Sequence, residues 1–286
     1  MTAAGHMRHT LRRKSAWRVA LPCLFGTVLA AVGLGAWPLA LFDVAARAHA
    51  HDTGSAEDDT FTPPDASGWG RVAGLRYLEA VHGGAAASEQ LPLVMLIHGL
   101  GDEPRADWLD LVPRDLRARI VMPRAPTPVD RGFSWFPYHA GSNRSEALVK
   151  HIAARAEQLA NALATLRTQR PSLGLPIVAG FSQGGMLSFA LAARHPEKLS
   201  LAIAISGTLP AALWPDRPAD ARIPLIRAFH GSADSTVPIA QTRRLVEQLR
   251  KLGYDIVLRE YPQVGHKLTQ DMRAAVSKLI ADSLRK

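Results

Sequence analysis

The chain has a single cysteine in 286 residues, Cys23, and it lies near the N-terminus. That scarcity excludes a disulfide framework, a zinc site built on thiolates and a cysteine nucleophile in everything that follows. No internal repeat is visible, and nothing suggests a second folded domain. A net charge of +9 invites a nucleic-acid reading, but where the charge sits counts before its sign. Residues 1–50 hold Arg8, Arg12, Arg13, Lys14, Arg18 and Arg47 against Asp43 alone, leaving 28 bases against 24 acids in the rest of the chain. Those later bases are scattered among acids and apolar positions, without the interleaved aromatics of a single-strand groove, so no nucleic-acid partner is expected.

What is present begins with a leader-like segment. A basic stretch from Arg8 to Arg18 precedes an uncharged apolar run from Val19 to Phe42, and Ala48-His49-Ala50 fits a small-x-small cleavage site. Residues 1–50 therefore read as an export signal. The run is also long enough to span a ~30 Å hydrocarbon core, which makes an uncleaved membrane anchor the alternative. On either reading the expected location is exported, periplasmic or secreted, with contact to a membrane only through an uncleaved leader. Residues 51–67, with Asp52, Glu57, Asp58 and Asp59 among small polar residues, read as a flexible linker.

From residue 68 to 286 short apolar runs alternate with helical periods, the pattern of a mostly parallel, doubly wound sheet with helices on both faces. Leu91–Ile97, Leu175–Ala179, Leu199–Ile205 and Ile223–Phe229 are predicted buried strands, and Asp255–Leu258 predicts one more. Leu148, Ile152, Leu159, Leu163 and Leu166 recur at helical spacing, as do Leu245, Leu249 and Leu252. A closing helix is expected over 269–284, with Thr269 as its N-cap.

The strongest local signal is Gly180-Phe181-Ser182-Gln183-Gly184, between a predicted strand and a predicted helix. A serine hydroxyl is a poor nucleophile, and a tight strand-to-helix turn with small neighbours is one way to present it. The same turn aims the backbone N–H of Gln183 at the oxygen of an attacked carbonyl. A second donor would come from the loop after an early strand, here His98-Gly99-Leu100-Gly101-Asp102, with Leu100 N–H as the candidate. A base and an acid should follow in the order serine, carboxylate, histidine, each after a strand. Asp234, in His230-Gly231-Ser232-Ala233-Asp234, and His266, in Pro262-Gln263-Val264-Gly265-His266, satisfy that order.

With those segments assembled, and with Ser206-Gly207-Thr208-Leu209-Pro210 and Val237-Pro238 beside them, the chain resembles the phospholipase/carboxylesterase family of α/β-hydrolases. The resemblance spans nearly all of residues 91–266. It implies an α/β-hydrolase fold without a large lid, no metal or cofactor, and cleavage of carboxylic ester, thioester or lysophospholipid bonds in small-molecule or lipid-like substrates. It implies Ser182, Asp234 and His266 as catalytic residues and Leu100 and Gln183 as the oxyanion pair. The segment Gly132-Phe133-Ser134-Trp135-Phe136-Pro137-Tyr138 corresponds to an aromatic loop near the family's acyl pocket, which points to Trp135 and Phe136 as substrate-binding residues, with core packing as the alternative. Thioesterase-type members are usually cytoplasmic, so the leader is a departure. Export would suit an extracellular polyester depolymerase or a feruloyl-type esterase, with Trp135 and Trp214 as an exposed platform. A non-catalytic exported binding protein on a hydrolase scaffold is the alternative of another class.

Overall fold

The computed structural model describes residues 61–137, 146–216 and 223–285. The leader and most of the predicted linker lie outside the described residues. The strands are β1 (Trp69–Val72), β2 (Leu75–His82), β3 (Leu91–Ile97), β4 (Ala118–Pro123), β5 (Thr127–Pro128), β6 (Phe133–Ser134), β7 (Ser172–Phe181), β8 (Leu201–Ile205), β9 (Leu225–Gly231) and β10 (Ile256–Tyr261). Eight of them form one sheet in the order β1-β2-β4-β3-β7-β8-β9-β10, and β5 pairs with β6 apart from it. From β4 to β10 every pairing is parallel, whereas β2 runs antiparallel to β4 and β1 to β2.

The central strands are apolar on both faces, so both faces must be covered. In β3, Leu93, Met95 and Ile97 enter one core while Val94 and Leu96 enter the other; β8 divides the same way, Ala202 and Ala204 against Leu201, Ile203 and Ile205. Helices α1 (Glu146–Gln169), α2 (Gln183–Arg194) and α3 (Ile239–Lys251) cover the first face. The leucines read as helical stripes, Leu163 and Leu245 among them, are buried there, except Leu252, which is partly buried just past the end of α3. Helix α4 (Gln270–Leu284) covers the second face through Met272, Val276 and Ile280, beside Trp108 and Leu111 of the 3-10 turn Ala106–Leu111. Thr269 caps α4, its Oγ1 accepting the Met272 N–H at 3.2 Å. Truncating any one of these buried leucines to alanine costs about 2–5 kcal/mol.

Two features bear on the site. Parallel strands put their carboxyl ends along one edge, so the loops after β3, β4, β7, β8, β9 and β10 gather there. Backbone pairing along the outer strand begins at Thr62, whose N–H and C=O bond Arg71 at 2.9 and 3.0 Å. Among the described residues the connection from β8 to β9 carries only a single 3-10 turn, Ala211–Leu213, and no large lid.

Candidate active site

Ser182 stands between β7 and α2 at φ 56°, ψ −114°, a conformation that side chains avoid and that the surrounding turn enforces. Its N–H is held by Ile205 O at 2.9 Å, and its carbonyl accepts the Met186 N–H at 2.9 Å. The flanking glycines are required by space. A Cβ on Gly180 would lie 2.3 Å from Gly184 O, and one on Gly184 would lie 2.1 Å from Ile97 O. β7, the elbow and the end of β3 therefore touch backbone to backbone.

His266, in the loop after β10, reaches Ser182 Oγ with its Nε2 at 2.9 Å. Its Nδ1 lies 2.8 Å from Asp234 Oδ2. A carboxylate can only accept, so Nδ1 carries the proton and Nε2 presents a lone pair to the serine hydroxyl. Asp234, after β9, is fixed on its other oxygen by the N–H groups of Thr236 and Val237 at 3.0 and 2.8 Å. Burial alone would raise its pKa. Hydrogen bonds from His230, His266 and the Val237 N–H outweigh that and hold the carboxyl well below the usual range.

His230 is a participant that sequence reasoning quoted without giving it a role. It is buried, donates from Nε2 to Val237 O at 2.8 Å, and keeps that nitrogen 3.4 Å from Asp234 Oδ2. Thr242 Oγ1 donates to Gly207 O at 2.8 Å and lies 3.2 Å from His230 Nδ1, tying α3 to the loop after β8. The available signal was the spacing: a histidine four residues before the acid, at the end of the same strand.

The expected oxyanion loop lies against the serine, since a Cβ on Gly99 would come within 3.2 Å of Ser182 Cβ. Leu100 is exposed and helps wall the cavity above Ser182. Gln183 begins α2, where N–H groups have no partner within the helix. Its side chain is spoken for: Oε1 accepts the Trp135 N–H at 2.9 Å and Nε2 donates to Phe136 O at 2.8 Å. His98 is structural. Its Nε2 accepts the Ala125 N–H at 3.0 Å and its Nδ1 donates to Gly99 O at 2.7 Å, while burial pushes its pKa down to about 4.

Trp135 and Phe136 are placed differently from the expectation of substrate contact. Both are 1% exposed, and neither lines the cavity over Ser182. Trp135 packs on His98 at 5.3 Å, donates its indole N–H to His98 O at 3.0 Å and has its own carbonyl held by Arg155. An indole with its N–H satisfied inside the fold stays buried, so it cannot share an exposed platform with Trp214. The cavity has a volume of about 250 Å³, with Leu100, Phe181, Met186 and Val237 forming apolar wall beside Ser182 and His266. Phe181 and Met186, which flank the serine in sequence, were not singled out from the sequence.

A mostly parallel sheet wrapped on both faces, with a strand-turn-helix serine at its carboxyl edge, is the α/β-hydrolase fold. Within it the chain belongs to the phospholipase/carboxylesterase family, whose description matches residues 81–284. It is 28% identical over 218 residues to acyl-protein thioesterase 1 of Gibberella zeae, covering 69% of this chain and 89% of that one. It is 31% identical over 198 residues to a probable inactive carboxylesterase of Oryza sativa subsp. japonica, covering 61% and 78%. The crystal structure of esterase PE8 superposes with a TM-score of 0.61 at 28% identity, covering 73% of this chain and 98% of that one. Family and relatives together support hydrolysis of ester or thioester bonds.

The same comparisons correct the expected location. Several relatives are acyl-protein thioesterases, a type usually found in the cytoplasm, and this overturns the expectation of a periplasmic or secreted enzyme. Among the described residues no helix is long and apolar enough to cross a membrane. A basic stretch followed by an apolar run is a composition, and composition by itself does not fix an address.

Proposed function

We propose that this chain is a serine hydrolase that cleaves carboxylic esters of short acyl groups through an acyl-enzyme on Ser182. The observation that carries the reading is the continuous relay Ser182 Oγ, His266, Asp234, with contacts of 2.9 and 2.8 Å on a left-handed elbow. His266 Nε2 takes the serine proton as Oγ bonds to the ester carbonyl carbon. The carbonyl oxygen, now negative, is held by the N–H groups of Leu100 and Gln183, each such donor contributing on the order of 3 kcal/mol to the transition state. His266 returns the proton to the departing alcohol, and water repeats the sequence to free the acid. Asp234, kept ionised by its hydrogen bonds, stabilises the imidazolium in both halves.

A cavity of about 250 Å³ falls below the ~300–1,000 Å³ that encloses drug-sized ligands, which supports a short acyl group over a long lipid chain. The name of the rice relative raises the prospect of a dead scaffold, and the complete relay here argues against it. Ser182→Ala should lower kcat on p-nitrophenyl butyrate by ~10⁴-fold or more with an unchanged melting curve. Near-normal turnover by that variant, or no fluorophosphonate labelling of Ser182 in the parent chain, ends the reading.

A further inference from the structure

Three arginines stand side by side at the carboxyl edge of the sheet. Arg71 and Arg76 face each other across the β1–β2 pair. The register Tyr77 to Pro123 puts Arg124 next in line beyond β4, and its N–H donates to Arg76 O at 2.8 Å. Like charges set directly opposite one another disfavour pairing. The usual remedy is missing here: among the described residues no carboxylate lies within ion-pair distance of these three guanidinium groups. The nearby acid Asp65 takes its hydrogen bonds from the N–H and hydroxyl of Ser67 and acts on Arg76 only at longer range, as Glu103 does on Arg124.

Aromatic rings hold two of the three, Arg76 and Arg124, in place. Arg76 lies 4.7 Å and Arg124 5.1 Å from the centre of the Trp69 ring, and Arg124 also lies 4.1 Å from that of Phe133. Stacking fixes the plane of a guanidinium and leaves its N–H edge free for a doubly bonded oxyanion. Beside the stack is a hollow of about 330 Å³ walled by Arg71, Arg76 and Trp69, with Asp65 as its one acidic wall residue and Arg124 outside it, across the Trp69 ring contact. The stack connects with the oxyanion loop, because Gly101 N–H donates to Phe133 O at 2.9 Å and Phe133 N–H to Asp102 O at 3.0 Å. Two strand steps separate β4 from β7 and three and four separate β2 and β1 from it, so Arg124 begins roughly 10 Å from the nucleophile and Arg76 and Arg71 roughly 14 and 19 Å.

We propose that Arg71, Arg76 and Arg124 form a phosphate-binding site that receives the leaving-group end of the substrate. The role in substrate selection rests on the reading of Ser182 as nucleophile; the anion site itself does not. Calorimetric titration with inorganic pyrophosphate tests it directly. Arg76→Gln and Arg124→Gln should each weaken binding by ~10-fold or more, and Arg76→Lys, which keeps charge without the planar fork, should fall between. Arg244→Gln, an exposed arginine on α3, should bind as the parent does. No binding by the parent, or equal binding by the parent, Arg76→Gln and Arg76→Lys, overturns the proposal.

Two matched pairs of short acyl group then separate the sources of phosphate: butyryl-coenzyme A against butyryl-pantetheine, and butyryl glycerol 3-phosphate against monobutyrylglycerol. Arg76→Gln should reduce the kcat/KM ratio of phosphorylated to neutral partner by ~10-fold in one pair, and that pair names the source. Unchanged ratios in both pairs overturn the assignment to substrate. Arg76-dependent pyrophosphate binding without turnover of any of the four would sink the hydrolase reading and uphold the anion site.

Discussion

Asp234→Asn is the substitution whose consequence follows most directly from the hydrogen bonds. The oxygen facing Thr236 and Val237 receives two backbone N–H groups, at 3.0 and 2.8 Å, and only an acceptor can stay there. An asparagine would thus turn its carbonyl to that side and point its NH₂ at His266, where Oδ2 now accepts from Nδ1 at 2.8 Å. Two donors cannot face each other at that distance. The imidazole would respond by moving its proton to Nε2, the nitrogen that must accept from Ser182, and the base would be blocked while the geometry stayed nearly intact. Loss of a triad carboxylate by this route costs ~10⁴-fold in kcat, about 5 kcal/mol of transition-state stabilisation.

The assay is kcat and KM on p-nitrophenyl butyrate from pH 6 to 9, alongside a thermal melt. KM should change little, because the cavity walls are untouched. A second reading comes from stability. Asp234 has a depressed pKa in the fold, so its contribution is fully present above the unfolded value near 3.9 and is lost as pH falls below it. The Asn variant should therefore lose less stability than the parent between pH 5 and 2. If the variant keeps more than about a tenth of parental kcat, the tautomer argument is wrong.

Other residues make separate demands. Gln183→Ala keeps the backbone N–H but leaves the buried Trp135 N–H without its partner, at ~1–3 kcal/mol, while Phe136 O keeps the Ser134 hydroxyl; the melting temperature should fall by roughly 3–10 °C, and a shift under about 1 °C would show that the side chain holds nothing. His98 is kept neutral with its pKa pushed down to about 4, so stability is intact above the unfolded value near 6.5 and declines as pH drops toward 4. Urea unfolding at pH 7.5 and 4.5 should show a loss on the order of 3 kcal/mol that His98→Gln lacks, and equal losses in the two proteins would refute it. Gly184→Ala would place a Cβ 2.1 Å from Ile97 O, forcing β3 and the elbow apart; the expected result is kcat/KM down by ~10²-fold or insoluble protein, and a soluble variant of normal activity would disprove the contact.

The sequence made the parallel core legible because its strands are continuous apolar runs with no competing pattern, as in Leu91–Ile97 and Leu201–Ile205. The antiparallel edge was not legible. β2 reads Leu75-Arg76-Tyr77-Leu78-Glu79-Ala80-Val81-His82, a half-buried strand in which charges interrupt every short run. β4 contains Arg119, which looks like a surface residue yet is fully buried, paired with Glu79, while Arg170 reaches the same carboxylate at 3.1 Å. A buried charge of this kind is explained only by its partner, and Glu79 lies forty residues away in sequence. The order Ser182, Asp234, His266 could be read because it depends on loops after recognisable strands. The contact of His230 with Asp234 could not, because which nitrogen faces which oxygen depends on the fold of the loop between them.

The aromatic segment shows why a motif's location does not disclose its direction. Phe133-Ser134-Trp135-Phe136 lies against the side chain of Gln183, the residue after Ser182, and not on the cavity over the serine. Its backbone is consumed in holding Gln183, and its two largest side chains face the core. What it gives the site is rigidity behind an N–H donor. Phe133, the member that remains partly exposed, turns outward to the arginine stack. The cavity is left to Leu100, Phe181, Met186 and Val237, which come from two loops, one strand end and one helix start that no contiguous pattern unites. The acyl group should therefore be selected by elements that the candidate catalytic loops themselves carry, so a change in specificity at Met186 or Val237 would be made three or four residues from Ser182 or Asp234.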